Sequence, residues 1–244
     1  MLKNILLLAF GSLGLNVQAA NCRLSTSDTA QEKAHISYSF GTSIPTGKFG
    51  STDYYEKGAG YAKTGIAIEL NLTHKIHGGP YSWCISSRSI VNQANEMALV
   101  NDMNYASPGS GYDVQWGAYS NASLLAGAKY NFKATDKIYI VPRLMMGIAI
   151  AGYPEMLVRS SWNTSFWCRE TRASGSAFSN LMGLGLDARI SRNMKLLANL
   201  DFQQAFPLFV GVEQLYSNGT RELNSVSQRM NTLNITIGLA AELK

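Results

Sequence analysis

Apolar and polar residues alternate along most of this chain with a period of two. From Gly60 to Ile76, one face carries Ala62, Thr64, Ile66, Ile68, Leu70, Leu72 and Ile76. The other carries Lys63, Gly65, Ala67, Glu69, Asn71, Thr73 and Lys75. Strand side chains point alternately to opposite faces, whereas a helix would scatter both sets around its circumference. The same alternation predicts strands over 35–45, 117–132, 138–150, 178–190, 194–206 and 233–243. An eighth, over 81–91, is weaker: Tyr81, Trp83 and Ile85 lead into a polar stretch. Several of these segments exceed ten residues, longer than the five or six common in soluble sheets and near the roughly 9–11 of a membrane strand.

The connections alternate between long and short. Gly47 to Ala59, Asn92 to Trp116, Ala151 to Ala177 and Pro207 to Arg229 are long. His77 to Pro80, Lys133 to Lys137 and Ser191 to Asn193 are short. The Asn92 to Trp116 stretch reads as a polar loop. In the last long connection, Asn218-Gly219 predicts a type I′ turn with an extended hairpin around it.

Composition narrows the setting. Of 244 residues, 46% are hydrophobic but only 15% are charged, against about 25% charged in soluble globular proteins. Apolar content with 12 Tyr, 9 Phe and 4 Trp excludes a disordered chain. No apolar run reaches the roughly 18 residues of a membrane helix. The net charge of +5 comes from scattered Lys and Arg, not the clustered basic face of a nucleic-acid-binding surface.

The N-terminus reads as a secretory signal: Lys3, an apolar stretch from Ile5 to Leu15, then small residues at Ala19 and Ala20 for cleavage. Residues 1–20 are therefore expected to be removed. A short N-terminal periplasmic segment, 21–34, then precedes a barrel over 35–244. Asn21 is a poor residue before a lipidated Cys22, where a small one is expected. Cys22, Cys84 and Cys168 are too few for a disulfide scaffold. Cys84 and Cys168 are expected at opposite ends of the barrel and not to pair. No Cys/His cluster supports a metal site, and no cofactor motif is present.

A soluble barrel also has one apolar face, so the other face decides. It is dominated by Gly, Ser, Asn, Ala and Thr, too poor in Lys and Glu to meet water. An eight-stranded interior is just wide enough to be filled by side chains, and small polar residues suit it. The expected fold is all-β: an eight-stranded antiparallel up-and-down transmembrane β-barrel. Its apolar faces meet lipid, and Lys63, Glu69, Lys129, Arg143, Asp187, Arg189, Asp201 and Glu242 point into the lumen. Both signs are present, which permits pairing. Tyr81, Trp83, Tyr130, Phe132, Phe178 and Phe206 lie near strand ends, as interfacial girdles do. Such barrels have short periplasmic turns and long external loops, and an even strand number leaves both termini periplasmic.

The run Gly41-Thr42-Ser43-Ile44-Pro45-Thr46-Gly47-Lys48-Phe49-Gly50, the segment Gly60 to Gly65, Leu124-Leu125-Ala126-Gly127, Gly147 before Gly152-Tyr153-Pro154, and the closing Ile237-Gly238-Leu239 carry a resemblance. The chain resembles the porin-family outer-membrane β-barrel proteins common in Bacteroidetes. The resemblance implies a Gram-negative cell outer membrane, assembly by the barrel-assembly machinery, and contact with outer-membrane lipid and lipopolysaccharide.

Catalytic chemistry has little support. His35 and Ser37 have a His-x-Ser spacing but sit at the start of the first strand and point inward, and His77 lies in a short turn. Nucleophile, base and orienting group must converge, and no such set is visible. The third long loop carries Arg159, Trp162, Phe166, Trp167, Arg169 and Arg172. Arginine beside exposed aromatics is a contact composition, so Arg159, Trp162, Trp167, Arg169 and Arg172 are the candidate contacts for an unknown external ligand. The expected function is non-enzymatic: an envelope-structural or surface-recognition role through the long loops. The alternatives are a narrow channel for small solutes, a lipid-modifying outer-membrane enzyme, and a secreted soluble barrel.

Overall fold

The computed structural model describes residues 34–76, 79–162, 165–191 and 193–243. The expected signal peptide, the segment after it up to residue 33, Cys22 and His77 lie outside the described residues. In chain order the strands are β1 (Ala34–Thr46), β2 (Gly65–Lys75), β3 (Tyr81–Gln93), β4 (Tyr112–Trp116), β5 (Ala118–Tyr130), β6 (Phe132–Lys133) and β7 (Ile138–Tyr153). Then come β8 (Met156–Ser160), β9 (Trp167–Glu170), β10 (Ala173–Arg189), β11 (Met194–Ala205), β12 (Leu208–Tyr216), β13 (Arg221–Ser227) and β14 (Met230–Glu242). Among the described residues, the α-helix α1 (Glu96–Ala106) lies between β3 and β4, and a 3-10 turn spans Gly47–Phe49.

Eight of these strands, β1, β2, β3, β5, β7, β10, β11 and β14, pair antiparallel in that order, and β14 returns to β1. The closing pair is in full register, from His35 opposite Glu242 to Thr46 opposite Asn231. In lipid each unpaired edge group would cost several kcal/mol, so closure is what permits the strands to span. The fold is a closed, eight-stranded antiparallel transmembrane barrel. An 11-residue strand such as β2 rises about 36 Å, or roughly 28 Å when tilted about 40°, which matches the hydrocarbon thickness of about 30 Å.

The alternation sorts as the pattern predicts. Ile66, Ile68, Leu124, Ile148, Ile150, Leu184 and Ile237 are exposed on the outer wall, while Ser39, Asn71, Ser86, Asn121, Asn234 and Thr236 are buried in the lumen. An apolar outside around a polar inside inverts a soluble core, and the bilayer is the solvent that stabilises it. At the short-turn end, Tyr81 packs edge-on against Tyr130 at 4.8 Å, Tyr130 meets Phe132 at 4.2 Å, and Trp83 stacks on His74 at 5.4 Å. This is half of the expected girdle. Phe178 and Phe206 are exposed at the other end.

Three local expectations are corrected. The second strand begins at Gly65, not Gly60: Tyr61 adopts a left-handed φ of 50°, and its amide donates to the Ser51 carbonyl at 3.0 Å. The preceding residues therefore fold with the first long connection instead of extending the ladder. The stretch after β3 is not a plain loop but contains α1, whose N-cap Asn95 accepts from the Ala98 amide at 3.3 Å. The hairpin β12–β13 is present, but its turn is not type I′, because only Gly219 has a positive φ (85°). A type I′ turn needs two such residues. Here the Asn218 side chain instead accepts from the Thr220 amide at 2.9 Å.

Candidate functional sites in the lumen and the loop sheet

The register brings four charges together at mid-barrel. Glu69 on β2 stands directly opposite Arg88 on β3. On the far side, Arg143 of β7 and Asp201 of β11 both stand opposite Gly183 of β10. Arg88 Nη2 donates to Glu69 Oε2 at 2.5 Å and crosses the lumen to Asp201 Oδ2 at 2.6 Å. Arg143 donates to both oxygens of Glu69 at 3.0 Å, through Nε to Asp201 Oδ1 at 2.7 Å, and through Nη2 to Asp201 Oδ2. Ser86 and Asn71 add donors to Glu69 at 2.8 and 3.2 Å. All four charged residues are buried. Two acids and two bases cancel, so the quartet is a neutral cross-brace. Gly183 makes it possible: a Cβ there would lie 2.0 Å from Asp201 Oδ1.

Above the quartet, toward the long connections, the interior becomes apolar and aromatic. Phe49, Tyr119, Tyr153, Phe209, Val212 and Met230 are among the buried residues that form one cluster. Phe49 meets Tyr119 at 5.2 Å, and Tyr119 meets Tyr153 at 6.0 Å, both edge-on. Leu125, Met145, Leu181 and Cys84 form a second buried cluster on the inner wall. Toward the short turns the lumen opens into a small polar pocket of about 30 Å³, continuous with solvent and lined by Lys75, Lys129, Asp187 and Lys195 among others.

The predicted lumenal charges therefore divide. Glu69, Arg143 and Asp201 form the quartet, and Lys129 and Asp187 line the pocket beneath it. Arg189 and Glu242 sit at the pocket's outer rim, where Arg189 lies 6.0 Å from the Tyr139 ring centroid. Lys63 is exposed and precedes β2, so it is not a lumenal charge: the strand assumed to carry it starts two residues later. Arg88 was missed by the sequence reading. Its parity was the available signal, since it shares the face of Ser82, Cys84 and Ser86 opposite Tyr81, Trp83 and Ile85.

At the other end, the long connections build a second sheet, in the order β13–β12–β9–β8–β4. Its inner face is fixed by buried Glu170, which accepts from Tyr153 Oη at 2.9 Å and Gln214 Nε2 at 2.5 Å. The β12 strand bends at a register shift between Val210 and Val212, where Gly211 has a φ of 77°. The free edge of β4 is covered: Asn104 and Glu96 of α1 accept from the Tyr112 and Trp116 amides at 2.8 and 2.6 Å. Among the described residues, β13 pairs in this sheet with β12 alone, which leaves its outer edge open. The first long connection is pinned to α1 by Tyr61, whose hydroxyl donates to Asp102 at 2.8 Å. Burial, reinforced by that carboxylate, pushes the Tyr61 phenol well above its ordinary value.

The candidate contacts of the third loop reach this sheet unevenly. Arg159 on β8 and Trp167 on β9 are cross-strand neighbours. Arg169 also projects from the exposed face of β9 and is held by Glu155 at 2.6 Å. Trp162 is 84% exposed in the turn between β8 and β9. Arg172 is exposed between β9 and β10. Cys168 lies in β9, while Cys84 lies in the barrel wall.

A major outer membrane protein from Thermus thermophilus superposes on this chain with a TM-score of 0.52 at 12% identity, over 86% of this chain and 99% of that one. The chain has the outer-membrane β-barrel fold. Neisserial surface protein A aligns at a TM-score of 0.44 and 10% identity, covering 86% of this chain and 97% of its own. The attachment invasion locus protein of Yersinia pestis, in complex with a heparin analogue, aligns at 0.45 and 13%, covering 87% and 99%. No protein-family model and no curated protein matches the sequence. The outer-membrane barrel described here thus shares its architecture with the Thermus protein, while its lumenal charges and loop sheet are read from its own residues.

Proposed function

We propose that this outer-membrane barrel is a non-enzymatic surface-recognition protein that binds an external partner through its loop sheet. The observation that carries the reading is the ordering of the long connections. They form a five-stranded sheet braced by a buried carboxylate, with one edge closed by a helix and the other open. Binding residues sit disproportionately on loops positioned by a rigid scaffold, and a fixed sheet loses little entropy on binding. Arg159, Trp162, Trp167, Arg169 and Arg172 supply cationic and aromatic contact groups, and the open edge of β13 supplies backbone donors and acceptors for an added strand. The long loops face the cell exterior and both termini face the periplasm. The aromatic layer and the charge quartet occupy the lumen in series, which supports a scaffold role over passage of solutes.

The test displays the protein on cells and probes a glycan and extracellular-protein array. Binding by the intact protein, lost when residues 157–169 are replaced by a short Gly-Ser turn while heat-modifiable migration is kept, is the expected result. Retention of binding by that variant would refute the loop assignment. Uptake of sugars in liposome swelling by the intact protein would replace it with the channel reading, and lipid hydrolysis with an enzymatic one.

A further inference from the structure

The pocket beneath the quartet has a charge composition that the scaffold does not require. Arg143 forms part of its ceiling but is committed to Glu69 and Asp201. What remains is three ammonium groups, on Lys75, Lys129 and Lys195, facing one carboxylate, Asp187. Lys195 Nζ is 3.8 Å from Asp187 Oδ2, at the outer limit of an ion pair. Lys129 Nζ donates to Thr73 Oγ1 at 3.1 Å, and among the described residues no carboxylate lies within ion-pair distance of it. Lys75 and Lys195 also line the mouth, with Arg189 and Glu242. The quartet is neutral, so among the described residues four cations, Lys75, Lys129, Lys195 and Arg189, face two carboxylates, Asp187 and Glu242, an excess of two positive charges along the pocket and its mouth. Low-dielectric walls focus that field along the lumen axis toward the open mouth.

We propose that this blind pocket is an oxyanion site, with Lys129 at its closed end beside the quartet and Lys75 and Lys195 at its sides, for a small phosphate-type group entering from the short-turn compartment. Lysine suits the role, being a compact charge with three rotatable donors that binds phosphate as a point charge. The wall adds neutral hydrogen-bond groups from Ser37, Ser39 and Asn199. The quartet is the stop that prevents through-passage: Arg88 Nη2 and the Arg143 guanidinium are directed at its own carboxylates across the lumen. The site lies at the end of the barrel opposite the loop sheet and does not depend on the recognition reading.

The test is calorimetric titration of the refolded barrel in a zwitterionic detergent at low ionic strength and neutral pH. Inorganic phosphate and glycerol 3-phosphate are the probes. Saturable one-to-one binding of inorganic phosphate is expected. Lys129→Gln and Lys195→Gln should each weaken it tenfold or more, and Asp187→Asn should tighten it. Lys57→Gln, exposed in the first long connection, should leave it unchanged. Tighter binding of glycerol 3-phosphate would assign the site to a phosphate carried on a larger molecule, and equal or weaker binding to the free ion. Each variant is first checked for heat-modifiable migration. Should Lys129→Gln fail to fold, Lys195→Gln, nearer the rim, decides the matter. Absence of saturable binding overturns the proposal, as does an affinity that the folded lysine variants leave unchanged.

Discussion

Replacing Glu69 with Gln tests whether the quartet braces the barrel. Glu69 accepts five hydrogen bonds: one from Arg88, two from Arg143, and one each from Ser86 and Asn71. Three are charge-assisted, worth about 1.5–3 kcal/mol each before desolvation is counted. Desolvation of the intact pair offsets part of that sum, so the relevant scale is the cost of breaking a buried pair by removing one partner, about 3–5 kcal/mol. Burial of all four residues means that solvent does not screen the loss. Glu69→Gln leaves two guanidinium groups facing one carboxylate, and its amide places a donor against donors. Urea unfolding in detergent micelles, followed by tryptophan fluorescence, should show a loss of about 3–5 kcal/mol. Glu69→Gln/Arg88→Gln restores neutrality, since Arg143 and Asp201 remain paired. The double variant should therefore lose less than the sum of the single losses, by about 1–3 kcal/mol. A Glu69→Gln variant within about 0.5 kcal/mol of the parent, or strict additivity in the cycle, would refute the brace.

Gly183→Ala places a Cβ against the Asp201 carboxylate and should destabilise by about 1–3 kcal/mol. The same unfolding assay checks it, and Gly79→Ala, whose Cβ would meet nothing closer than 3.4 Å and whose φ is not positive, serves as the comparison. Lys in place of Ile68 or Leu184, both on the outer wall, should cost about 2–4 kcal/mol near the bilayer midplane. Spin labels at these positions should report lipid-type accessibility, with the opposite type for a label at Glu69. Tyr61→Phe removes the hydrogen bond to Asp102 and should loosen the first long connection by about 1 kcal/mol. The folded phenol titrates above the unfolded one, so its contribution is complete below the unfolded value of about 10 and falls away as pH rises through the folded value. Limited proteolysis of that loop should therefore quicken above about pH 10 in the parent and become less pH-dependent in Tyr61→Phe.

Local alternation was enough to fix the wall of the barrel. Alternation is a local property, because each strand residue faces opposite to the one before it, so Ile66, Glu69, Leu184 and Ile237 are sorted to lipid or lumen by parity alone. The lengths of the connections likewise placed the long loops at one end. What the inward residues do depends on how the barrel closes. Glu69 and Arg88 are neighbours across one ladder, but Asp201 reaches them only because closure brings β11 opposite β3, and because Gly183 leaves room between Asp201 and Arg143. No local pattern encodes that meeting. Arg88 was hidden because its segment alternates serine with serine, so parity there has little hydrophobic contrast. Of the loop sheet, only the β12–β13 hairpin was legible, through Asn218-Gly219. The pairings that assemble the rest, β4 with β8 and β9 with β12, join residues 40–48 positions apart, and no local pattern marks them.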